Sequence, residues 1–173
     1  CTGKNSVRPR GRAMDRNAML NQMLYRMEEV FWHELSDCAP WKTEYVGIDF
    51  IQSQDIKGIN EDEVIRSCME RIKAAGLVED IGYSIGGNGI LLKLQVRGCQ
   101  LMLKETLLRK SGIKPYNCPV ANMIRDQLIE KLGYETTYVA ELAADEKTGG
   151  CALKVAIYAT PEKIGAVSDW SKE

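Results

Sequence analysis

One histidine, two phenylalanines and five prolines occur among 173 residues, and no apolar run approaches the ~18 residues that a membrane-spanning helix needs. Nothing here spans a bilayer as a helix. The lone His33 sits beside Trp32 in a helical pattern and reads as structural. A hydrolytic triad or an all-histidine metal site is hard to build around it. Phosphate-binding glycine loops of the common types are missing. So are internal repeats and low-complexity tracts. The formal net charge of −1 argues against the whole domain being a nucleic-acid binder. Among six cysteines there is no C-x-x-C pair, and their density is far below that of a disulfide-stapled mini-protein. In a reducing cytoplasm most of them act as small buried hydrophobes.

What is present fits one globular domain. A chain of this length buries roughly two thirds of the surface its unfolded form exposes, so it needs no staples. The expected organisation is a basic extended arm over 1–13, a single α+β domain over 14–165, and a tail over 166–173. Lys4, Arg8, Arg10, Arg12 and Arg16 stand in the arm region against one acid, Asp15. Such an arm suits anionic lipid, nucleic acid or an acidic partner subunit, or is a solvated terminus. Nucleic acid is the least favoured of these. A chain beginning Cys-Thr-Gly resembles a processed bacterial lipoprotein, which makes Cys1 a candidate lipidation site. The expected location is the cytoplasm, with the membrane surface, through a lipidated Cys1, as the alternative.

The pattern turns helical from Met14 to Leu35. Leu20, Leu24, Met27, Phe31 and Leu35 recur at steps of three and four, flanked by Met19, Met23 and Val30. The stripe has two readings. The plain one is core. The sharper one is an adaptable surface, with Met19, Met23 and Met27 as contacts for a partner helix or an apolar ligand, because thioether side chains repack easily. Pro40 ends this region. Tyr45, Val46, Ile48, Phe50 and Ile51 give Glu44 to Ile51 the character of a short strand. Asn60, followed by Glu61, Asp62 and Glu63, reads as a capped helix start. That helix runs to about Ala75, with Val64, Ile65, Cys68, Met69 and Ile72 inside, and Gly76 stops it.

Two strands, Val78 to Ile85 and Ile90 to Val96, meet across Gly86-Gly87-Asn88-Gly89. Ile90, Leu92, Leu94 and Val96 point inward; Lys93, Gln95 and Arg97 point outward. A helix follows from Leu101 to about Lys110. A second begins with Pro119 at its first position and continues through Val120, Ile124, Leu128 and Leu132 to Gly133. Tyr134 to Ala143 and Cys151 to Thr160 form a last hairpin. Strands joined by hairpins imply an antiparallel sheet of about four to five strands, with helices packed mainly on one side.

Cys99, Cys118 and Cys151 each stand at the edge of an expected element. Converging element ends would bring three thiolates together, and with a carboxylate they suit zinc. Cys118-Pro119 at a helix start also favours thiolate. The alternatives are buried structural cysteines, or a Cys99–Cys118 disulfide in an exported protein.

The stretch from Cys118-Pro119 to Tyr158, CPVANMIRDQLIEKLGYETTYVAELAADEKTGGCALKVAIY, resembles the end of a 4-vinyl reductase-like small-molecule-binding domain. Gly133, Glu141, Gly149 and Cys151 are the matching positions. Val96-Arg97-Gly98-Cys99 is similar to the strand before a helix in related members. The likeness covers roughly 75–160, and the basic, methionine-rich first forty residues depart from it. It implies a fold akin to the small core subunits of vesicle-tethering complexes, an apolar small-molecule ligand, and cysteines as metal ligands. The expected pocket lies between helices and sheet, lined by Met69, Leu92, Ile124 and Leu128. Expected partners are an apolar small molecule or a protein subunit, a homodimer included. The functional expectation is a binding or assembly module without its own catalysis. Its alternatives are an accessory subunit of a membrane complex and a cysteine-ligated metal sensor or enzyme.

Overall fold

The computed structural model describes residues 15–86, 91–134, 136–145, 147 and 149–158. Outside the described residues lie the basic arm with Cys1, Arg8, Arg10 and Arg12, the tail over 166–173, the Gly87-Asn88-Gly89 turn, and Ile90.

Helix α1 spans Arg16–Leu35, opened by the Asp15 carboxylate, which accepts from Asn17 N–H at 3.0 Å. A turn of 3₁₀ helix, Ser36–Cys38, leads to two short helices, α2 (Ala39–Thr43) and α3 (Ile48–Gln52). Pro40 falls in the first turn of α2, where its missing N–H costs nothing. The short strand expected over Glu44 to Ile51 is absent; a turn and α3 stand there instead. Gly47, at φ +96°, turns the chain, and only Ile51 of the stretch is fully buried. Tyr45, Val46 and Phe50 have β propensity but no strand edge to join, so local preference yields to the turn.

Helix α4, Glu61–Ala74, follows the sequence closely. The Asn60 side chain accepts from Glu63 N–H at 3.0 Å, while the Glu63 carboxylate reaches back to Ile59 N–H at 2.9 Å. Val64, Ile65, Cys68 and Ile72 are buried and Met69 is half-buried. Burying each of the larger ones contributes about 1.5–3 kcal/mol.

Strands β1 (Asp80–Gly86), β2 (Leu91–Arg97), β3 (Thr136–Asp145) and β4 (Gly150–Tyr158) form one antiparallel sheet in the order β1-β2-β4-β3. Helices α5 (Met102–Lys110) and α6 (Pro119–Leu132) come between the two hairpins. The register aligns Tyr83, Leu94, Leu153 and Leu142 across the sheet, and Ile81, Val96, Cys151 and Ala144 beside them. These residues share a face because the side-chain period of a strand is two. That face packs with α4 and α6 into the core, while Lys93, Gln95, Lys154 and Glu141 take the other face. Gly150 is required by space: a Cβ there would meet the Val96 carbonyl at 2.1 Å.

Helix α1 packs along α5. No helix among the described residues is long and apolar enough to cross a membrane.

Candidate functional site

The plain reading of the α1 stripe as core does not hold. The two fully buried residues of α1 are Asn21 and Glu28, both polar. Leu24 and Leu35 are half-buried, while Met19, Leu20, Met23, Met27, Val30 and Phe31 are 37–56% exposed. The face turned toward the protein is the polar one.

The reason lies beneath it. The residue that caps the start of helix α5 is Leu101, whose side chain cannot accept a hydrogen bond. The unmet N–H of Lys104 donates instead to Asn21 Oδ1 at 3.0 Å, so α1 supplies the cap that α5 lacks. Asn21 Nδ2 donates in turn to the Gln100 carbonyl at 2.8 Å. One turn deeper, the fully buried Lys104 Nζ is held at 2.9 and 3.0 Å by the Glu28 carboxylate, 3.0 Å by the Asn117 carbonyl and 2.7 Å by Glu105 Oε1. Asn117 donates to Glu28 at 2.9 Å, and Asn122 to Asn117 at 3.0 Å. Tyr116 closes the edge, its hydroxyl donating to the Glu28 carbonyl at 2.7 Å and its ring 5.7 Å from that of Trp32.

Two carboxylates thus share one ammonium. Burial works against charge on Lys104, but Glu105 and Glu28 outweigh it and hold the ammonium above its ordinary pKa. Glu105 fares worse. Burial pushes its carboxyl up from 4.5 despite Lys104, and Glu105 Oε2 is buried without a hydrogen-bond partner.

The cysteines lie next to this network. Cys118 immediately precedes α6, and Cys151 pairs in the sheet between Val96 and Ala144. Their thiols share a hydrogen bond, which lowers the pKa of Cys118 against the opposing effect of burial and raises that of Cys151. Cys99, fixed by its N–H to the Gly149 carbonyl at 3.0 Å, is close enough to interact with both, and burial pushes its thiol up to about 11. The three expected cysteines do gather at one end of the sheet. All three are free thiols, so the Cys99–Cys118 disulfide is not formed. Among the described residues no group of three or more His, Cys, Asp and Glu side chains is arranged to hold a metal ion.

The four pocket candidates belong to the core itself: Leu92, Ile124 and Leu128 are fully buried, with Met69 packed against them. Clefts open elsewhere. One of 140 Å³ is lined by Trp41, Tyr116, Asn122 and Arg125, and a shallow one of 480 Å³ by Arg109, Lys114 and Glu141. His33 is exposed on α1. The sequence offered no sign of Asn21, Glu28, Lys104 or Glu105 as buried groups.

The fold defines an α+β domain: a four-stranded antiparallel sheet with helices and a polar-backed outer helix. Compared with protein-family models, with curated proteins and with solved structures, the chain finds no match in any of the three.

Proposed function

We propose that this protein is an assembly module that docks a partner protein helix on the outer face of α1. The observation that carries the reading is the inversion of that helix. Its polar residues are turned inward and satisfied, while Leu20, Met23, Met27 and Val30 form an exposed stripe. Large exposed apolar patches on a folded domain mark contact sites. The stripe's steps of three, four and three residues match the seam that a second helix packs into. Methionine at its centre adapts to a neighbour's shape.

An apolar guest among Met69, Leu92, Ile124 and Leu128 has less to support it, since those side chains fill the space between α4, α6 and the sheet. A zinc centre at Cys99, Cys118 and Cys151 has the right donor type but no ready arrangement of ligands.

The test is Met23→Glu combined with Met27→Glu. Association seen by size-exclusion with light scattering should vanish, with the thermal midpoint of the dilute monomer unchanged. A dilute-monomer midpoint lowered by many degrees would mean that the chain itself covers this face, and the docking reading would be lost.

A further inference from the structure

We propose that the occupant of this seam is a second copy of the chain, whose α1 runs antiparallel about a twofold axis at the level of Tyr25. The inference rests on the docking reading above and names its partner. Arg16, Leu20, Met23, Met27, Val30 and Glu34 succeed one another at steps of four, three, four, three and four, and all six are exposed. A seam at that spacing packs helix against helix. Placed antiparallel at this level, it is self-complementary along its length. Leu20 shares a layer with Val30 of the second copy, Met23 with Met27, and Arg16 with Glu34; the symmetry repeats each layer. Both ends then carry opposite charges. A parallel pair would set Arg16 on Arg16 and Glu34 on Glu34, where like charges repel.

The helix dipole points the same way. Arg16 sits at the positive N-terminal end of α1 and Glu34 at the negative C-terminal end, each misplaced for its own helix. An antiparallel neighbour brings the opposite dipole end and the opposite charge to both. The other charge flanking the axis, Arg26, is met within its own helix by Glu29. A helix of 20 residues is about 30 Å long. Met19 and Phe31 beside the seam, with Leu103 exposed on the adjoining α5, widen the apolar strip toward the roughly 800 Å² per partner of a standard interface. A twofold contact uses one patch twice and leaves no second unpaired surface.

The experiment is sedimentation velocity on the full chain over a dilution series, paired with peroxide oxidation of Met19, Met23 and Met27 read by peptide mass spectrometry. A monomer–dimer equilibrium is expected, with the three methionines protected as concentration rises. Glu34→Arg alone should weaken the dimer roughly tenfold, because it reverses two symmetry-related pairs. Adding Arg16→Glu to it should restore the parent affinity. A dimer that Glu34→Arg leaves unchanged or tightens overturns the antiparallel arrangement. A chain that stays monomeric, with its methionines oxidised equally at every concentration, overturns the second copy while the docking face stands. Methionines already protected in the dilute monomer overturn both.

Discussion

Helices α4 and α1 both carry an apolar stripe at helical spacing, yet they turn it in opposite directions. In α4 the stripe of Val64, Ile65, Cys68 and Ile72 faces the sheet, and charged residues take the water side. In α1 the stripe faces outward, and Asn21 and Glu28 face inward. The difference comes from what each helix must satisfy. Helix α4 lies beside α6 and β1 and has apolar surface to cover. Helix α1 lies on α5, whose uncapped start and buried ammonium need oxygen and nitrogen atoms. Periodicity therefore reveals that some face is to be covered. It does not say by what.

The comparison breaks most visibly at Lys104. If the α1–α5 layer is held by its polar centre, Lys104→Met should cost about 3–5 kcal/mol, because it leaves Glu28 and Glu105 buried without their cation. Urea unfolding measures this, and a loss below that of an ordinary surface change would show that the network carries little. On the other side of the comparison, Ile72→Ala in α4 should cost about 2–5 kcal/mol through lost burial and the cavity left behind.

A smaller effect separates the two carboxylates by pH. Burial raises the folded-state pKa of Glu105 above 4.5, so the folded protein holds a proton that the unfolded chain has released. That contribution is fully present below about pH 4.5 and is lost as pH rises through the folded value. Glu105→Gln cannot lose it, and its amide oxygen can still accept from Lys104. Relative to the parent, this variant should gain stability as pH climbs from the acid side toward neutrality. Unfolding midpoints across that range provide the check; a difference flat in pH would rule out the unpaired oxygen as a source of strain.

These helices also explain what the sequence could reveal. The boundaries of α4 and α6, the hairpin order and the antiparallel sheet were readable because cap residues, Pro119, Gly76 and alternating strands are local signals. The convergence of Cys99, Cys118 and Cys151 followed from their places at element ends, and their lack of a metal geometry did not, since that depends on side-chain directions. Glu44 to Ile51 misled because β-branched and aromatic residues mark a strand only where an edge is open to it. Glu28 and Lys104 looked like solvated charges. Nothing local distinguishes a glutamate that faces water from one that faces a lysine 76 residues away.

The smallest expected effect is the one that separates α1 from α4 most cleanly. Met27→Ala removes about as much side chain as Ile72→Ala, from a helix with as regular an apolar stripe. In a dilute monomer its outward side chain is 55% exposed and leaves little to lose, so the change in unfolding free energy should stay within about 0.5 kcal/mol. At concentrations where copies associate, the same substitution should lower the apparent stability, because folding and association are then linked. Unfolding followed at two protein concentrations reads both quantities. A cost of several kcal/mol in the dilute sample would place Met27 in a core like that of Ile72 and erase the contrast between the two helices. A small dilute cost that grows with concentration would assign the stripe to a neighbour.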